Sequence, residues 1–183
     1  MTTNSTNKYI IGIALSVVII IAAYFTLGSD KQSDSFTEYG SYLTTYQTEQ
    51  LDKYAIRGGG DKGKTLRDTI NLGLHESING SSEKALEIFR QLYQQHPDNE
   101  DITLNLGIQL FKMEKYTEAV NLLTPLLLSS KKEVREEAEM TVAMAATAFE
   151  DNGVTAKKWL QKIANSPDHM HQDLAQIQLE FYN

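Results

Sequence analysis

Two short stretches of this chain hold residue types able to do chemistry. Residues 58–65 read GGGDKGKT, and Gly58, Gly63, Lys64 and Thr65 fit the spacing G-x-x-x-x-G-K-[ST]. In that pattern backbone amides cradle phosphates, the lysine reaches their outer oxygens and the hydroxyl meets magnesium. The chemistry needs a strand before the loop, a helix after it and a second strand ending in a magnesium-binding aspartate. LDKYAIR, residues 51–57, is a poor strand with two basic residues, an acid and one β-branched residue. A small nucleotide-dependent protein using residues 58–65 is thus the alternative reading. The favoured one makes these glycines a hinge.

The second stretch is DHMHQD, with Asp168, His169, His171 and Asp173. Imidazoles two positions apart share a side only in extended chain, and no third histidine lies near in sequence. A polar loop between helices, with an aspartate capping the next helix, is expected rather than a metal centre. His75 and His96 have no nearby sequence partner, and nothing arranges a nucleophile with its base. The sequence therefore assigns no catalytic residue, no cofactor and no metal, and points to a non-enzyme.

Elements able to position anything must come from the remaining pattern. The chain has 183 residues, no cysteine, 17 Lys and Arg against 24 Asp and Glu, and a formal net charge of −7. Disulfides and thiolate metal sites are excluded. With no basic cluster to neutralise phosphates, nucleic-acid binding is not expected. All three prolines lie beyond residue 96, consistent with an all-α chain.

Residues 10–27 form an uncharged run of 18 residues. As a helix at about 1.5 Å per residue it matches the hydrocarbon thickness of a bilayer. Tyr9 stands at one end and Tyr24 and Phe25 near the other, where aromatic rings favour the interface. No A-x-A cleavage site follows, so a retained anchor is expected over residues 10–28. Lys8 and the terminal amine favour a short cytoplasmic tail, residues 1–9, by the positive-inside rule. The remainder is then expected on the far side, in a periplasmic or other extracytoplasmic space.

The rest of the chain repeats itself. Asn71, Leu72 and Gly73 recur as Asn105, Leu106 and Gly107, a shift of 34. Ala85 recurs as Ala119 and Phe89 as Leu123, and a looser third copy carries Ala156 and Leu160. Small residues let two helices approach, while Phe89, Leu123 and Leu160 fill the space against the neighbouring unit. Turn signals fall at Asn79, Gly80 and Ser81, at His96, Pro97 and Asp98, and at Ser166, Pro167 and Asp168.

This period, with Leu-Gly in one half, Ala-x-x-x-Phe in the other and Pro97 twelve residues past Ala85, resembles the tetratricopeptide repeat. Glu76 and Leu110 replace the aromatic expected after Leu-Gly, Met144 replaces the third glycine, and Lys131 replaces the second inter-unit proline. The resemblance implies an α-helical solenoid over residues 64–183, with helix-turn-helix units at about 66–99, 100–133 and 137–168. A closing helix is expected at 171–182. Residues 29–63 are expected to hold a tyrosine-rich membrane-proximal segment and the glycine hinge. Phe36, Tyr39, Leu43 and Tyr46 there recur at three- and four-residue steps, an amphipathic pattern able to cap the first repeat. A narrower resemblance, to a group of membrane-anchored bacterial repeat proteins, rests on Phe36, Tyr39, Tyr42, Arg57, Gly58, the run LQKIA at 160–164 and His169.

In such an array function is expected on the concave face, built from the first helix of each unit. The register puts Arg67, Ile70, Leu74, Asp101, Leu104, Asn105, Ile108, Phe111, Thr141 and Ala145 there, with Ala138 and Ala148. Five positions that take Lys, Asn, Asn, Lys and Arg in the clamp for acidic chaperone tails hold Ile70, Leu74, Asn105, Ala138 and Val142. One match in five argues against acidic tails. An apolar groove suits an amphipathic helix or an extended apolar segment of a protein partner. Residues 36–54 of the same chain are the competing occupant. The expected function is a membrane-anchored protein-interaction scaffold, with a self-associating envelope spacer as a further alternative.

Overall fold

The computed structural model describes residues 36–53, 66–148 and 153–182. The expected anchor at 10–28, the phosphate-loop pattern at 58–65 and the short tail lie outside them. Among the described residues no helix is long and apolar enough to cross a membrane. Those residues hold eight α-helices and no strand.

Helix α1 covers residues 36–53. The chain divides before Tyr39, and residues from Tyr39 onward form one compact unit. That unit continues with α2 (Leu66–Asn79), α3 (Ser82–Gln95), α4 (Glu100–Lys112), α5 (Tyr116–Leu123), α6 (Lys132–Ala145), α7 (Val154–Ala164) and α8 (Gln172–Glu180). Short 3-10 turns at Thr124–Leu128 and Ala146–Ala148 follow α5 and α6. Helices α2 and α3, α4 and α5, and α6 and α7 pair as successive hairpins, while α2, α4 and α6 follow one another along the array. Helix α6 starts at Lys132, ahead of the expected residue 137, because α5 stops early in the proline-containing 3-10 turn.

Local chemistry sets the boundaries. The Ser81 side chain accepts from the amide of Lys84 and starts α3. The Asn99 side chain accepts from the amides of Asp101 and Ile102 and starts α4 just beyond Pro97. Gly153, at φ 74°, supplies the left-handed backbone that turns the chain into α7.

The glycines of the repeat act through close approach. A Cβ on Gly73 would lie 2.8 Å from Cζ of Phe89, and one on Gly107 would overlap Leu123. Phe89 and Leu123 are fully buried on those surfaces, each contributing about 1.5–3 kcal/mol through burial. In the third hairpin the corresponding Met144 and Leu160 are both buried.

Candidate functional site: the concave face and its resident helix

Helix α1 is amphipathic as its spacing requires. Tyr39, Leu43, Tyr46 and Gln47 are buried, while Ser41, Thr45, Thr48, Glu49, Asp52 and Lys53 are exposed. The buried side meets the array at two polar stations with an aromatic contact beside the first.

The first station is Glu137 on α6, itself fully buried. Tyr39 donates to its Oε1 at 3.2 Å, and Tyr42 donates to its Oε2 at 2.8 Å. The Tyr39 hydroxyl also lies 2.7 Å from the Thr141 hydroxyl. From the other side, Nε2 of His171 sits 3.0 Å from Oε2 of Glu137. The Tyr39 ring meets Phe111 edge-on at 5.3 Å, and the Tyr42 ring meets His171 edge-on at 4.9 Å. Burial first, and the Glu137 charge second, push both phenols above the ordinary tyrosine range, so both remain donors.

The second station lies where α2 and α4 end. The Lys112 ammonium donates to the Ser77 carbonyl at 2.7 Å, the Ser77 hydroxyl at 3.0 Å and Oε1 of Gln47 at 3.2 Å. Two helix C-termini favour a cation there, but no carboxylate is among those three acceptors. Desolvation holds Lys112 below the ordinary lysine value. Ser77 Oγ lies 2.9 Å from Oε1 of Gln47 and 2.6 Å from Oε1 of Gln109, donating to one at a time. The amide nitrogen of Gln47 is buried with no hydrogen-bond partner among the described residues.

The register residues divide accordingly. Ile70 and Leu74 on α2, Leu104, Asn105, Ile108 and Phe111 on α4, and Thr141 and Ala145 on α6 are all buried. Phe111 and Thr141 are brought together under Tyr39 of α1. The Asn105 side chain donates to the Asp101 carbonyl, and the Asp101 carboxylate faces Lys131 at 3.4 Å. Arg67 is half-buried. Of the further positions, Ala138 is fully buried and Ala148 is exposed.

The DHMHQD stretch joins the same region. His169 pairs with Glu139 at 3.1 Å, and the Met170 amide donates to Glu136 at 2.9 Å. With His171 on Glu137, three α6 glutamates hold one loop, and each imidazole is committed to a carboxylate. Among the described residues no group of three or more His, Cys, Asp or Glu is placed to hold a metal ion. The expected capping aspartate is corrected: the residue preceding α8 is His171, with no side-chain cap bond. Asp168 takes a positive φ of 62°, and its carbonyl accepts from Lys132.

The sequence reading missed Glu136, Glu137, Glu139, Gln47, Ser77 and Lys112. EEAE at 136–139 looks like a solvated charge run.

No curated protein and no solved structure matches the chain. The tetratricopeptide repeat family model matches residues 79–140, the stretch from the end of α2 into α6, and supports the repeat resemblance.

Proposed function

We propose that this chain is a membrane-anchored, non-enzymatic protein-interaction module whose concave face takes an amphipathic helix. The tetratricopeptide match over residues 79–140 supports the class, since such domains are in general protein-binding scaffolds. One observation carries the groove reading: Phe111 and Thr141 lie against Tyr39 of an amphipathic helix. That helix is α1, so the ligand class is a helix laid into a groove rather than an acidic tail. In this reading α1 is the resident occupant, and a partner helix takes its place. Residues 10–28 serve as the anchor, with the N-terminus cytoplasmic and the repeat domain extracytoplasmic. Holding the module at a membrane raises its effective concentration for membrane partners.

The test is in-cell photocrosslinking from position 104, in the natural chain and in one carrying Leu43→Ala to weaken the resident helix. The proposal expects a second polypeptide to be captured, more strongly in the Leu43→Ala chain. Capture of residues 36–53 alone, in both chains, overturns it.

A further inference from the structure

Helix α1 answers both ionisable stations of the concave face with neutral groups. At Glu137 it offers the two phenols of Tyr39 and Tyr42. At Lys112 it offers the amide oxygen of Gln47, which leaves the amide nitrogen buried with no hydrogen-bond partner among the described residues. A buried donor without a partner is costly, and a carboxylate in its place would supply only acceptors and an opposite charge for the ammonium. At the other station Tyr42 is half-buried, so a longer cationic side chain there has room to reach both Glu137 and solvent. Arginine matches a carboxylate with two parallel donors where a phenol has one.

We infer that the concave face is built for a helix carrying a basic residue at the Tyr42 position and an acidic residue five places later, at the Gln47 position. Apolar side chains fill the places of Tyr39, Leu43 and Tyr46. The partner is thus an amphipathic helix whose basic end meets α6 and whose acidic residue meets the C-terminal ends of α2 and α4. Helix α1 has the shape of this ligand without its charges, which makes it a displaceable occupant. The inference rests on the groove reading given above and adds the order of charges.

Two measurements test it. In the full chain, Tyr42→Arg with Gln47→Glu should raise the thermal midpoint, whereas Tyr42→Glu with Gln47→Arg should lower it. The gain should vanish when Glu137→Gln and Lys112→Met are added. In trans, a labelled 36–53 peptide bearing the first pair should bind the full-length Leu43→Ala chain at least tenfold more tightly than the unsubstituted peptide. An unchanged or lowered midpoint for the matched pair overturns the inference, and so does a preference for the unsubstituted peptide, which would favour a second copy's α1. Capture at position 104 of a partner lacking this charge order overturns the inference and leaves the groove reading standing. Capture of residues 36–53 alone overturns the groove reading instead.

Discussion

Tyr42 donates to Oε2 of Glu137 at 2.8 Å, joining positions 95 residues apart in the chain. The same oxygen meets His171 at 3.0 Å, so one buried carboxylate ties the resident helix to the loop before α8. The seating of α1 and the anchoring of the loop before α8 therefore share a side chain.

Removing partners from Glu137 should grade with how much buried packing is lost beside the hydrogen bond. Tyr39→Phe keeps the ring on Phe111 and loses only the hydroxyl, so about 1–2 kcal/mol of unfolding free energy should go. His171→Ala removes a buried ring together with its hydrogen bond to a buried carboxylate and should cost about 3–5 kcal/mol. Urea unfolding of the full chain measures both, and the order His171→Ala worse than Tyr39→Phe is the expected result.

Two glycines should respond in opposite directions. In Gly107→Ala the new methyl overlaps Leu123, and the forced shift should destabilise by about 1–3 kcal/mol. Gly40, within α1, has nothing within 4 Å of an added Cβ, so Gly40→Ala should stabilise by up to about 1 kcal/mol through helix propensity. Thermal midpoints of the two variants check the pair.

Alkaline pH should loosen the resident helix. Tyr39 and Tyr42 are raised above the ordinary phenol value, so the folded chain keeps protons that the unfolded chain releases. Their contribution is fully present below about pH 10 and declines as pH rises beyond it. Lys112 works in the opposite sense. Burial lowers its value, so stability rises with pH up to the ordinary lysine value of about 10.4. Above that pH the two phenols dominate, and stability measured from pH 10.5 to 11.5 should fall. Tyr39→Phe with Tyr42→Phe should flatten that fall.

The repeat was legible because its constraints are local and periodic. Gly73 faces Phe89 and Gly107 faces Leu123, the positions the 34-residue shift singles out. The inward side of α1 was legible from Tyr39, Leu43 and Tyr46 by spacing alone. The partners of that side were not, because they depend on folded distance rather than spacing. Nothing in EEAE tells Glu137, buried under two tyrosines, from an ordinary exposed acid. Lys112 and Ser77 likewise meet only because α2 and α4 end side by side.

The central claim is that α1 packs over Phe111 of α4, and crosslinking from position 111 tests it most directly. A benzophenone side chain there, in the purified full chain, should link within residues 39–47 upon illumination. Links found only in other segments, or none to α1, would contradict the account.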